Sequence, residues 1–152
     1  MAWDAAFVLV NLIAFCGWAA LVLLPRLTSV SALVLYLAVG LLCVGYTVTF
    51  VAVFGGLVDP HRLPGVPPPD LTHYSIAGLR LLFMSDAGIL IGWTHYLAFD
   101  LFVGRWIADD ADRKGYSRLA QIPFLFATLM AGPIGLLAWL VARDKTRGAS
   151  AR

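Results

Sequence analysis

Three long stretches of this chain contain no charged residue, and this feature restricts the possible fold more than any other. The stretches are Ala5 to Leu24, Leu27 to Val58 and Leu119 to Ala142. A bilayer core of about 30 Å is crossed by about 20 apolar residues in a helix, so each stretch is long enough to span a membrane. Because lipid offers the backbone no hydrogen bonds, such segments must be helices and not strands.

A fourth crossing is predicted from Asp86 to Trp106, an apolar segment interrupted by a few polar residues. The composition agrees, since 61% of the chain is hydrophobic and only 13% is charged, with a mean hydropathy of +0.84, whereas about a quarter of a soluble domain is charged. The net charge of +2 gives no reason to expect a nucleic-acid partner. We therefore predict an all-α polytopic membrane protein, with residues 1–152 as one four-helix transmembrane bundle. The expected spans cover about 5–24, 30–57, 86–106 and 119–142.

Three further features are predicted: a loop and a short helix between two of the spans, and a kink within the last span. Residues 59–70 are rich in proline and favour a stiff extended loop. Residues 71–84 are predicted to form a short interfacial helix, because their apolar residues follow helical spacing while His73 and Arg80 lie on a different face. A plain surface connector is the alternative. In the last span, Pro133 leaves the Leu129 carbonyl without its helical donor, which predicts a kink.

The third span carries the most unusual residues, His95, Asp100 and Arg105. Counted from Asp86, they lie about 13, 21 and 28 Å into the membrane. Arg105 thus reaches the opposite interface, where it can pair with Asp109 at i+4. Asp100 is about 140° around the helix from both His95 and Arg105, so its partners must come from other helices, from Tyr96 or from water in a cavity.

A set of polar and aromatic residues could surround this motif. Asn11 and Trp18 share a face of the first span, several aromatic side chains flank His95, and the glycines beside Pro133 leave room for a flat ligand. Helix packing and interhelical hydrogen bonds are the alternative explanation for each of them. The predicted ligand-binding residues are Asn11, Trp18, Trp93, Tyr96, Phe99 and Pro133.

The run from His95 to Trp106, HYLAFDLFVGRW, resembles the signature of the abscisic-acid-deficient-type, or neoxanthin-synthase-like, membrane proteins of plants and bacteria. Asn11 with Gly17-Trp18, and the run Leu129 to Gly135, are similar to the first and last spans of that family. The resemblance extends from about Ala5 to Ala142.

This resemblance implies carotenoid chemistry. Plant members of the family are required to turn violaxanthin into neoxanthin, an isomerisation that opens a 5,6-epoxide and leaves an allene, and such a rearrangement needs no redox cofactor. Our hypothesis assigns a protonated Asp100 as the acid, His95 as the base, and Arg105 or Tyr96 as the stabiliser of the developing alkoxide. The chain lacks the plastid-targeting extension of the plant proteins, which suggests a bacterial protein of the cytoplasmic membrane acting on another carotenoid or polyisoprenoid.

Two other functions stay open at this point. One is a non-catalytic protein that binds an isoprenoid or hands it to an enzyme. The other is a prenyl-diphosphate enzyme, because Asp109, Asp110 and Asp112 could hold Mg²⁺ and diphosphate; a solvated loop is the simpler explanation of this acidic run. No metal site is predicted, since the two cysteines fall within spans without metal-ligand spacing. Glycines on the second span permit a homodimer.

Overall fold

The computed structural model describes residues 2–24, 27–68, 72 and 75–144. Within these residues the chain forms five helices, and the one β-feature is an isolated bridge between Arg62 and Ser85. Four of the helices are long and apolar enough to cross a membrane, so the predicted all-α architecture is confirmed. The helices are α1 (Ala2–Leu23), α2 (Thr28–Phe54), α3 (Ile76–Phe83), α4 (Asp86–Arg113) and α5 (Arg118–Ala142).

Helix α4 is the centre of the bundle. It packs against α1, α2 and α5, and the short α3 also lies on it. Within its most apolar window 56% of the residues are buried, against 17% to 28% in the other three long helices. Glycines allow the close approach: a Cβ on Gly104 would overlap the Trp18 indole of α1, and a Cβ on Gly17 would meet Leu101 and Ala38. Side chains on α4 therefore face three different neighbours.

Helix α4 continues past the predicted end of the third span. The interpretation of the acidic run as a solvated loop is wrong, because Asp109, Asp110 and Asp112 lie within this helix. The helix extends to Arg113, because Ile107, Ala108 and Ala111 continue its apolar face and are fully buried. The carboxylates consequently lie on the last turns of a packed helix.

Helix α2 contains a π-helical segment that was not predicted from the sequence. Its backbone is α-helical over Thr28–Ala32, π-helical over Leu33–Val39 and α-helical again over Gly40–Phe54. Such π-helical turns are rare overall, and those that occur are often found at functional sites.

Helix α5 is interrupted where the kink was predicted. Ala131 has non-helical dihedral angles, φ −158° and ψ 75°. Because the break comes before Pro133, this proline falls in the first turn of the second half of α5, a position where its missing N–H costs little. Gly135 then folds back closely on Thr128, since a Cβ there would overlap the Thr128 backbone.

The segment before α4 contains part of the predicted Pro-rich loop, followed by the short helix α3. Of the predicted Pro-rich loop 59–70, residues 59–68 are described and contain no helix, and Pro69 and Asp70 lie outside the described residues. The predicted interfacial helix 71–84 is represented by Ile76–Phe83, and His73 also lies outside the described residues. The side chains of Ser75 and Ser85 accept hydrogen bonds from the first turns of α3 and α4, so each helix begins at a serine cap.

Candidate functional site

Asp100 faces the break in α5. The residue is 7% exposed, and its carboxyl packs so closely on Gly132 that a Cβ at that glycine would overlap Oδ1. Tyr96 lies one helical turn earlier on the same face of α4. Oδ2 is buried and has no hydrogen-bond partner in the described part of the chain. A carboxyl with one unused oxygen thus lies between two transmembrane helices.

The break in α5 explains why a carboxyl is tolerated at this depth. The second half of α5 begins after Ala131, so its first backbone N–H groups lack acceptors within the helix. The positive end of the half-helix dipole also lies there, which favours a carboxyl oxygen. Asp100 therefore packs from a neighbouring helix against the start of the second half of α5, and Gly132 is the interhelical neighbour that was expected for it.

A polar and aromatic cluster lies next to Asp100 on the same side of α4. The Trp93 indole Nε1 donates to Asn11 Oδ1 of α1 at 3.1 Å. Trp93 also stacks on Tyr96, with ring centroids 5.3 Å apart, and the Tyr96 hydroxyl donates to the Met130 carbonyl of α5 at 3.1 Å. The structure thus brings Asn11, Trp93 and Tyr96 together, with Tyr96 one turn and Trp93 two turns before Asp100 on α4.

An apolar groove lies between α1 and α5, which both pack on α4 but barely touch each other. We call it the α1–α5 groove; its volume is about 360 Å³. Trp18 lines it and packs on Gly104, four residues after Asp100 on α4. Leu129, next to the Met130 carbonyl that Tyr96 contacts, also lines it. The lining residues are Phe15, Trp18, Ala19, Val22, Leu23, Ile122, Leu125, Phe126 and Leu129.

His95 and Phe99 lie on the opposite side of α4. The imidazole stacks on the Phe99 ring, with ring centroids 4.6 Å apart. It also lies beside the Tyr46 ring of α2, with ring centroids 5.8 Å apart. Both His95 and Phe99 are exposed on the outer surface of the bundle, Phe99 to 57%. The structure therefore does not bring His95 to Asp100, and the hypothesised acid–base pair does not share one chamber.

Arg105 faces α2 at the end of the bundle where α4 terminates. Its Nε donates to the Ser31 carbonyl at 3.1 Å and to Ser31 Oγ at 2.9 Å, and its Nη2 lies 3.1 Å from Asp109 Oδ2. The pairing with Asp109 at i+4 is as predicted, whereas the contact with Ser31 was missed because nothing in the sequence aligns α2 with α4. Pro133 is exposed on α5 beside the break.

The acidic run at the end of α4 has a separate partner for each carboxylate. Asp109 accepts from the Ser31 hydroxyl, and Asp112 accepts from Gln121 Nε2 at 2.6 Å. Asp110 is 6% exposed and accepts from Trp139 Nε1 at 3.0 Å and from the Arg143 guanidinium at 3.1 Å. No group of three or more His, Cys, Asp or Glu side chains among the described residues is arranged to hold a metal ion. This geometry gives the prenyl-diphosphate interpretation no support.

The fold and this arrangement define a class: a polytopic helical membrane protein whose central helix presents a buried carboxyl to a broken neighbouring helix. Within that class, the chain belongs to the ABA DEFICIENT 4-like family, whose model matches residues 5–139. The resemblance carried by the run from His95 to Trp106 is thereby confirmed. No curated protein and no solved structure matches the chain.

Proposed function

We propose that this protein takes a carotenoid or a related polyisoprenoid from the bilayer and isomerises it by proton transfer at Asp100. The observation that carries the proposal is the unpartnered Oδ2 atom of a buried carboxyl, one helical turn before Gly104, on which the groove residue Trp18 packs. Polar groups at such depth in a membrane protein are costly and mark functional sites more often than surface carboxyls do. Family membership supports the choice of substrate class, through the carotenoid chemistry that the resemblance implies.

The α1–α5 groove suits the ligand. Its walls are apolar and its volume falls within the usual range for small-molecule sites, about 300–1,000 Å³. It lies on the outside of the bundle between two transmembrane helices, so a hydrophobic molecule dissolved in the bilayer would reach it without passing through water. Asp100 is not among the groove-lining residues, so the proposal requires the reacting end of a bound ligand to pass Trp18 and reach the carboxyl.

The chemistry requires two proton transfers and no oxidant. A neutral Asp100 donates its proton to the epoxide oxygen while a ring carbon–oxygen bond breaks, and the proton on C7 is removed to form the allene. Because His95 stands on the other side of α4, the second transfer falls to the Asp100 carboxylate left by the first, which regenerates the neutral acid. Tyr96, one turn before Asp100, would stabilise the developing alkoxide if its hydroxyl turned from the Met130 carbonyl to the substrate.

A second candidate, non-catalytic binding or delivery of an isoprenoid, is favoured by one observation. The Asp100 carboxyl packs closely on Gly132, which gives this residue a structural role in the contact between α4 and the break in α5. A carboxyl used only in this way needs no substrate.

The two candidates differ in what a carotenoid-producing host accumulates when it expresses the chain. For the isomerase, pigment chromatography would show a new isomer with the wild-type chain, and Asp100→Asn would lower its yield at least about 100-fold. The matched control is Asp86→Asn, which changes an exposed aspartate at the other end of α4. Tyr96→Phe would lower conversion less than Asp100→Asn.

Three results would contradict catalysis. One is co-purification of unchanged pigment with the wild-type chain, which would support the binder instead. Another is equal conversion by wild type and a folded Asp100→Asn variant. The third is equal loss of conversion in Asp86→Asn, since that would show a general effect of removing a carboxylate from α4.

A further inference from the structure

A second pocket lies on the α2 side of α4, apart from the α1–α5 groove. It has a volume of about 460 Å³ and is formed by the end of α1, the start of α2 and the last turns of α4. Leu21, Leu27 and Leu35 provide apolar wall, and the polar side is provided by residues of α4 and the first turn of α2. Because Arg105 lies about 28 Å along α4 from Asp86, the pocket falls at a membrane interface. A charged pocket with an apolar wall at this depth suits an amphiphile.

The charged residues of this pocket carry both signs. Among the described residues, its charged lining side chains are Arg105, Asp109, Asp112 and Arg113, two of each sign. The Arg105 and Asp109 side chains are partly buried, at 22% and 27% exposure, and are held together with Ser31. Arg113, at 67% exposure, stands at the rim. A lining that presents both signs favours a ligand that also carries both over one that is purely anionic.

The first turn of α2 adds a feature that favours phosphate. The helix begins at Thr28, which lines the pocket, and its N-cap Leu27 makes no side-chain cap bond. The Val30 N–H donates to the Leu27 carbonyl, which leaves the N–H groups of Thr28 and Ser29 at the helix start for a ligand. Such N–H groups, together with the positive end of the helix dipole, bind phosphate in many proteins. The π-helical segment Leu33–Val39 follows one turn later, and its residues Leu35 and Tyr36 line the same pocket.

We propose that this pocket binds the headgroup of a zwitterionic phospholipid with a primary ammonium, such as phosphatidylethanolamine. The phosphate lies between the start of α2 and the guanidinium groups of Arg105 and Arg113. The ammonium donates to the Asp109 carboxylate, and the acyl chains run along the leucine wall. This site is separate from the proposed isomerase site, because Arg105 and Asp100 face different neighbouring helices.

Native mass spectrometry of the full chain tests the proposal. The delipidated protein is mixed with equal amounts of phosphatidylethanolamine, phosphatidylcholine and phosphatidylglycerol with identical acyl chains. Wild type is expected to retain phosphatidylethanolamine at least about fivefold over each of the others. Arg105→Gln removes a charged donor to phosphate and should lower that retention about tenfold.

The opposite charge change gives a readout that lost stability alone would not produce. Asp109→Asn leaves the pocket with one excess positive charge, so the preference should move to phosphatidylglycerol. The control is Arg118→Gln: Arg118 donates to the Val22 and Leu24 carbonyls at the same end of the bundle but does not line the pocket. Retention by this control should stay within about twofold of wild type.

Three outcomes overturn the proposal. The first is that wild type retains phosphatidylglycerol or phosphatidylcholine as well as it retains phosphatidylethanolamine, which removes the claimed selectivity. A second is an unchanged lipid preference in Asp109→Asn, which decides the matter even where Arg105→Gln does not fold. The third is an equal loss of retention in Arg118→Gln, which assigns the effect to the general charge of that interface.

Discussion

Replacing Gly132 with alanine would drive a methyl group into the Asp100 carboxyl. The added Cβ would overlap Oδ1 and would also contact the rest of the carboxyl group. Asp100 has little room to withdraw, because it is 7% exposed and lies on the central helix. The substitution therefore probes the contact between α4 and the break in α5 directly.

Two opposing terms decide the size of the effect. Within a helix, glycine to alanine usually stabilises by about 0.5–1 kcal/mol. Forcing an extra methyl into a packed interior costs about 1–3 kcal/mol. We expect the overlap to dominate, giving a net loss of about 1–2 kcal/mol in the free energy of unfolding.

A double-mutant cycle isolates this contact. In the Asp100→Ala background the overlap disappears, so Gly132→Ala should be neutral or stabilising by up to about 1 kcal/mol. The resulting coupling energy between the two positions should be about 1–3 kcal/mol. Reversible unfolding of the four proteins in detergent, followed by circular dichroism, measures it.

Gly45→Ala is the matched control, because a Cβ at this α2 glycine would meet no atom within 4 Å. It should show only the small stabilisation expected from helix propensity. The reasoning is refuted if Gly132→Ala behaves like Gly45→Ala, or if Gly132→Ala costs the same whether or not Asp100 is present.

Three further substitutions test other contacts of α4, each by thermal unfolding of the purified protein. Gly104→Ala should cost about 1–3 kcal/mol because its methyl would overlap the Trp18 indole, and a stability equal to that of Gly45→Ala would contradict the packing of α1 on α4. Asp110→Asn should cost about 1–3 kcal/mol, since it weakens the bonds from Trp139 and Arg143 to a buried carboxylate; stability within about 0.5 kcal/mol of wild type would refute a structural role. Tyr96→Phe should cost about 1 kcal/mol through loss of its bond to the Met130 carbonyl, and an unchanged melting temperature would count against that bond.

The architecture followed from the sequence because it depends on a local property. Long uncharged stretches must form helices in a bilayer, whatever surrounds them, so four crossings could be predicted without knowing any contact. The kink in α5 was equally local, since it comes from the missing N–H of Pro133. The pairing of Arg105 with Asp109 was local too, because helical spacing alone brings these two side chains together.

The candidate site was only partly predictable. The angle between Asp100 and His95 on one helix was correct and excluded a direct pair, but it did not say which neighbour each would face. The hypothesis nevertheless gave them one joint reaction. In the structure Asp100 meets the break in α5, and His95 stacks outside the bundle with Phe99 and Tyr46.

The interpretation of the acidic run failed for the same reason. A solvated loop beside Arg113 and Lys114 was the simpler explanation of these aspartates, yet Asp110 is buried among partners that lie about 30 positions further along the chain. No local pattern encodes such a partnership.

The sequence by itself thus determined that the chain is a membrane-spanning helical bundle with an ionisable group deep in one span. Only the tertiary structure decided that this group packs against the break in a neighbouring helix, and that Arg105 lines a pocket on another side of α4. The physical reason is that hydrophobicity and helix geometry act within a few residues. The partners of a buried polar group depend instead on how whole helices rotate and pack against each other.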